Sequence, residues 1–113
     1  MSECIFCRIV QGTAPSSIVY QDDEITAFRD IHPQAPVHIL IIPNRHITNV
    51  SYVEPGDIGV LGKMFLIARQ LAAQEKIADG YRLVINSGPM AGQSVYHLHM
   101  HLLGGRRMGW PPG

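Results

Sequence analysis

Apolar positions along the chain fall into two rhythms. Ile5, Phe6, Ile9 and Val10 have helical spacing and predict one or two turns packed on a core. Gln11 to Ser17, with Gly12 and Pro15, reads as a loop. Ser17 to Gln21 predicts a short strand, Asp22-Asp23 a turn, and Glu24 to Asp30 its hairpin partner. Pro33 and Pro36 interrupt regular structure up to Val37. Val37-His38-Ile39-Leu40-Ile41-Ile42 is β-branched and apolar, and Pro43 ends it. Both faces of such a run read as buried, which predicts a central strand with His38 as its one polar interruption.

The longest helical pattern lies between Pro55 and Asp79. There Ile58, Leu61, Phe65, Ala68, Leu71 and Ala72 form a stripe at spacings of three and four. Asp57 is the expected N-cap and Gly80 the expected C-terminal glycine. Gly59 and Gly62 each weaken the first turns by about 1 kcal/mol relative to alanine, and their small size suits close approach by another element. Tyr81 to Asn86 reads as a strand, Ser87 to Ser94 as a loop, and Val95 to Leu103 alternates strictly. The ending from Gly104 to Gly113 reads as irregular. The sum is an α+β fold with about five strands in a mainly antiparallel sheet, one long helix and one short one.

Composition narrows the function classes. The 113 residues suit a single domain over 1–113, and a hydrophobic fraction of 46% excludes a disordered chain. Nine basic residues balance nine acidic ones, so the basic excess of a duplex nucleic-acid binder is missing. Near-zero net charge favours self-association. No apolar run approaches the roughly 18 residues of a transmembrane helix, and no secretory leader pattern is visible at the N-terminus. The expectation is a cytoplasmic protein with no membrane and no nucleic-acid partner.

The stretch His97-Leu98-His99-Met100-His101-Leu102-Leu103 carries the most chemistry. In a strand, the three histidines share one face and Leu98, Met100 and Leu102 share the other. A lone histidine is commonly an ordinary satisfied or exposed residue. Three in a row do not pack a core, and each needs hydrogen-bond partners if buried. One use is metal binding, although alternate strand residues sit about 6.6 Å apart, so three in line cannot easily grip one ion. The other is nucleophilic attack on phosphorus through a phospho-histidine intermediate. The preceding loop, Asn86 to Ser94, offers backbone N–H groups, an amide and hydroxyls suited to gripping a phosphate. Cys4 and Cys7 have C-x2-C spacing, but a thioredoxin-like motif would need a preceding strand and a βαβ context. They are otherwise two half-buried thiols or part of a metal site.

The run Gln93-Ser94-Val95-Tyr96-His97-Leu98-His99-Met100-His101-Leu102-Leu103-Gly104-Gly105-Arg106 resembles the signature of the histidine-triad (HIT) family, and more narrowly its Hint branch of nucleotide-binding proteins. Asp30 to His38, Ile41 to Ile47 and the ending Trp110-Pro111-Pro112-Gly113 agree with it, so the resemblance runs from about Cys4 to the last residue. It implies a HIT-like fold and a homodimer whose two sheets join into one continuous sheet. It also implies hydrolysis of purine nucleoside phosphoramidates to AMP or GMP and an amine, and sometimes of acyl-adenylates, with no cofactor required for catalysis.

By the same resemblance, His99 is the nucleophile that forms a nucleotidyl-histidine. His101 stabilises charge at the phosphate, His38 supports from the adjacent strand, and Ser94, Gln93 and the Gly92 loop hold phosphate oxygens and the leaving group. Ile9, Phe28 and Ile31 match the apolar walls of the nucleoside pocket, and Asp30 matches the acid that accepts the ribose hydroxyls. Asn86 and Val95 complete the nucleotide set. An imidazole nucleophile also needs its other ring nitrogen held by a partner, and a backbone carbonyl of the triad strand is the expected one. His32 has no role in this scheme and reads as a loop residue.

Many bacterial relatives bind a structural zinc through such a cysteine pair and two histidines, which corresponds here to Cys4, Cys7, His46 and His97, a sound tetrahedral set. Two further functions stand beside the hydrolase: a purine-nucleotide sensing module without turnover, and a dinucleoside polyphosphate hydrolase of the Fhit branch. The Trp110-Pro111-Pro112-Gly113 ending favours the Hint branch over the latter.

Overall fold

The computed structural model describes residues 3–113. The elements are α1 (Ile5–Val10), β1 (Ile18–Gln21), β2 (Ile25–Arg29), β3 (Val37–Pro43), α2 (Ile58–Gln74), β4 (Tyr81–Ile85) and β5 (Met100–Gly104). Short 3-10 turns lie at Val50–Tyr52, Pro55–Asp57 and Pro89–Ala91. The strands form one sheet in the order β1-β2-β3-β5-β4, with every neighbouring pair antiparallel. The α+β reading and the five-stranded sheet hold, with β3 in the middle as its uniform apolar character required.

Both faces of that sheet are covered. Ile25, Ala27, Ile39, Ile41, Met100 and Leu102 pack against α2. Phe28, Leu40 and Ile42 face the other way and pack against Phe6 and Ile9 of α1. The alternation of β3 thus divides two apolar layers, and His38 belongs to the α1 side. No helix among the described residues is long and apolar enough to cross a membrane.

The structure corrects the sequence reading of the long helix. Its buried face is Met64, Ile67, Ala68, Leu71 and Ala72, with Val60 and Leu61 at the margin. Ile58 and Phe65, placed on the core stripe from spacing, are 69% and 55% exposed. They share an outward face with Leu66 and Gly62, where a Cβ added at Gly62 would meet nothing within 4 Å. The close approach expected at Gly59 and Gly62 is therefore not made within the described chain.

The helix also stops earlier than Gly80. Lys76 takes a left-handed φ of 62°, its N–H donates to the Ala73 carbonyl, and Ile77 N–H donates to the Ala72 carbonyl. This is a Schellman ending with lysine in the position glycine usually fills. It turns Ile77 into the core against Gly104, where even a Cβ would sit 2.5 Å from Ile77 Cδ1. At the other end, Asp57 stands at the N-cap position without capping α2 through its side chain. Its carboxylate accepts from the Glu54 N–H and pairs with Arg45.

The alternating run from Val95 joins the sheet only at Met100. Pairing with β3 begins at Ile41↔Met100, and two residues further along β3 comes Pro43, which has no N–H to give. Leu98 N–H instead donates to the Ile47 carbonyl, 2.6 Å away.

Candidate active site

A pocket of about 390 Å³ opens on the α1 side of the sheet. It is bounded by Ile5, Phe6 and Ile9 of α1, Pro15 and Ser16, Phe28 to His32, Leu40, Ser94, Val95, His99 and His101. The structure thus brings together Ile9, Phe28, Asp30, Ile31, Ser94, Val95, His99 and His101 from the sequence reading. The volume and mostly apolar walls suit a small-molecule site.

Main-chain carbonyls fix the ring protons of His97 and His99, and His38 fixes that of His101. His99 Nδ1 lies 2.8 Å from the carbonyl oxygen of His97. A carbonyl only accepts, so Nδ1 carries the proton and Nε2 keeps its lone pair. His97 Nε2 lies 2.8 Å from the Pro43 carbonyl, so its lone pair is on Nδ1. For His101 the logic runs through a second ring. The Gln34 N–H donates to His38 Nδ1 at 3.0 Å, which leaves the proton of neutral His38 on Nε2. That proton points to His101 Nδ1, 2.9 Å away, and to Asp30 Oδ2, 3.4 Å away. His101 Nδ1 therefore accepts, and its proton sits on Nε2, a buried atom with no hydrogen-bond partner among the described residues. Burial, before any other cause, holds His38 and His99 below the ordinary histidine value and takes His97 and His101 down to about 4. All four are neutral at pH 7, so these tautomers are the operating ones.

Three predicted nucleotide residues do not line the pocket. Asn86 follows the end of β4. Gly92 takes a left-handed φ of 82° and closes the 3-10 turn Pro89–Ala91. Gln93 is 5% exposed, and its amide is engaged within the chain. Its Nε2 donates to the Thr48 and Val95 carbonyls, and its Oε1 accepts from Gly88 N–H and Asn49 Nδ2. It ties the loop before the triad to the connection after β3, while the next residue, Ser94, reaches the pocket.

Sequence reasoning missed Phe6 as a site residue. Its ring centroid is 5.1 Å from that of His99, 5.9 Å from His97 and 5.2 Å from Phe28, all edge-on. The helical spacing assigned Phe6 to a core, and only its place between Cys4 and Cys7 hinted at more. His32, set aside as a loop residue, lines the pocket.

Behind the pocket, one donor atom from each of Cys4, Cys7, His46 and His97 lies within 4.8 Å of the others. His97 Nδ1 is 3.4 Å from Cys4 Sγ and 3.5 Å from Cys7 Sγ, and His46 Nδ1 is 3.5 Å from Cys7 Sγ. A tetrahedral zinc with bonds of about 2.0–2.1 Å to nitrogen and 2.3 Å to sulfur has N···S edges of about 3.5 Å. The set fits zinc, and the Pro43 carbonyl turns the His97 lone pair toward it. Asp30, His38 and His101 also cluster, but His38 Nε2 is already spent as the donor to His101 Nδ1.

Comparison with known proteins bears on the family. A protein-family profile described as HIT domain matches residues 11–108. The chain is 52% identical over 114 aligned residues to a 14 kDa zinc-binding protein of Zea mays, covering 99% of this chain and 89% of that one. It is 50% identical over 114 residues to the adenylylsulfatase HINT1 of Arabidopsis thaliana, covering 99% of this chain and 78% of that one. The crystal structure of a HIT family hydrolase from Legionella pneumophila Philadelphia 1 superposes with a TM-score of 0.96 at 50% identity, covering 98% of this chain and 100% of that one.

Proposed function

The chain belongs to the HIT domain family, and on that premise we propose that it is a purine nucleoside phosphoramidate hydrolase working through a nucleotidyl-histidine on His99. The observation that carries the reading is the bond from His99 Nδ1 to the His97 carbonyl, which leaves a neutral Nε2 lone pair at the pocket wall. Nε2 attacks the α-phosphorus as the P–N bond breaks, and the departing amine takes a proton from water. A second water then attacks phosphorus, the P–Nε2 bond breaks, the nucleotide leaves and a proton returns to solvent. One hard displacement becomes two easier ones.

In this scheme His101 Nε2–H donates to a phosphate oxygen as charge builds there. His38 keeps that proton in place, and Ser94 adds a hydroxyl. Phe28, Ile9 and Ile31 enclose the base. Asp30 receives the ribose, although Oδ1 already accepts the His32 N–H at 2.8 Å. Gln93, Gly92 and Asn86 shape the loop that presents Ser94. The adenylylsulfatase name of one relative favours adenylyl groups as cargo, with sulfate in place of the amine as an alternative leaving group. Zinc at Cys4, Cys7, His46 and His97 is structural in this reading, and no catalytic step needs it.

Homodimerisation is part of the proposal. Among the described residues β4 pairs only with β5, so its other edge is open. The outward Ile58, Phe65 and Leu66 on α2 offer the apolar area that a second copy would cover. Joined at β4, two sheets become one. The expected setting is the cytoplasm.

The test is release of AMP from adenosine 5′-phosphoramidate by the wild type and by His99→Ala, alongside AMP titrations of both. Turnover that vanishes in the variant while AMP still binds supports the covalent route. Binding without turnover in either protein would make the chain a nucleotide sensor.

A further inference from the structure

We propose that helix α1 is a metal-held wall of the nucleoside pocket, so that zinc at the Cys4–Cys7–His46–His97 site raises nucleotide affinity through Phe6; this rests on the nucleotide reading above. The helix is six residues long. An isolated helix needs about 12–15 residues to persist in water, so α1 exists by what holds it. Two of its holders are the thiols. Cys4 is the N-cap, its Sγ accepts the Cys7 N–H, and both sulfurs face His97 Nδ1. The same turn sends Phe6 and Ile9 into the pocket wall. Metal site and pocket therefore lie on two sides of one helical turn.

Phe6 is the contact between them. Its ring meets His97, a zinc ligand, and His99, the nucleophile, and then Phe28 in the pocket wall. His97 supplies a parallel link, because its Nδ1 faces the sulfurs while its carbonyl holds His99 Nδ1. Residues 95–99 lie outside the sheet ladder, so nothing in β5 fixes His97 directly. Its ring is held by the Pro43 carbonyl and the thiols, and an ion joining those thiols to His46 would lock the ring and α1 in one step.

AMP affinity measured by calorimetry tests this, on protein loaded with zinc, stripped by a chelator, and reloaded. Stripping should weaken AMP binding at least tenfold, reloading should restore it, and hydrogen-exchange protection of amides 5–10 should fall and recover in parallel. Phe6→Ala should bind AMP weakly in both states, with less than a twofold response to zinc. If stripping unfolds the chain, as judged by far-ultraviolet circular dichroism, His46→Ala removes the exposed ligand alone and should give an intermediate affinity. AMP affinity unchanged within twofold on stripping, or a full response that persists in Phe6→Ala, overturns the proposal and leaves the nucleotide reading intact. Failure of the zinc-loaded protein to bind AMP defeats both.

Discussion

His38 Nε2 stands 2.9 Å from His101 Nδ1, across two strands in which His38 pairs with Leu103 and His101 pairs with Leu40. The rings are diagonal neighbours on one face, within the reach of such pairs. The bond settles which nitrogen of His101 carries the proton. His38→Ala removes that constraint without emptying the pocket. A lost orienting bond of about 1–2 kcal/mol corresponds to roughly a tenfold fall in kcat. Steady-state kinetics should show KM changing less than kcat, and His38→Gln, which restores a donor, should recover part of the rate. A change confined to KM would mean that His38 acts on binding instead.

Acid should destabilise the fold through His101. Its folded value of about 4 lies below the ordinary 6.5, with burial as the first cause, so the unfolded chain takes the proton first as pH falls. The neutral ring's contribution is complete above about pH 6.5 and is lost progressively toward pH 4. Urea midpoints of wild type and His101→Asn, measured side by side, should converge across that window. Subtracting the variant removes the acid sensitivity of the buried His97 and His99, which both proteins share. Parallel curves would contradict the assignment.

Gln93→Glu keeps the acceptor for Gly88 and Asn49 but turns the donor into an oxygen facing the Thr48 and Val95 carbonyls. Leaving such buried groups unmatched costs about 1–3 kcal/mol, which should appear as a lower urea midpoint together with reduced turnover. An unchanged midpoint with selectively weakened AMP binding would instead make Gln93 a direct reader of the nucleotide.

Lys76→Gly relieves the left-handed position at the end of α2. The Cβ penalty there is about 1–2 kcal/mol, partly offset by the extra entropy of unfolded glycine, so a net gain of about 1 kcal/mol is expected. In a domain of this size the melting temperature should rise by about 4 °C. A fall would show that the lysine side chain contributes more than its backbone costs.

What the sequence disclosed depended on the range of the interaction. The central place of Val37 to Ile42 was legible because burial on both faces leaves no polar alternation. The triad was legible because its spacing and neighbours are contiguous. The backbone partner of His99 could be anticipated from chemistry alone, and it is the His97 carbonyl. The stripe on α2 was misjudged because Ile58 and Phe65 are apolar yet face outward, and periodicity cannot tell a core face from a face awaiting another surface. The end of α2 was missed because lysine, not glycine, adopts the left-handed turn. Phe6 and the closed network of Gln93 were hidden for a simpler reason. Their partners lie tens of residues away, and only the folded chain brings them together.

The ring protons of His97 and His99 are positioned by the main-chain carbonyls of Pro43 and His97, and that of His101 by His38, whose own ring is set by the Gln34 N–H. No side-chain substitution in the pocket can delete those main-chain groups. Descendants of this chain are therefore free to exchange Ile9, Phe28 or Ile31, and with them the molecule admitted, while the triad imidazoles keep their proton order. Diversification of substrate and preservation of chemistry fall to different parts of the polypeptide, and a redesign for a new leaving group would begin at the walls rather than at the sheet.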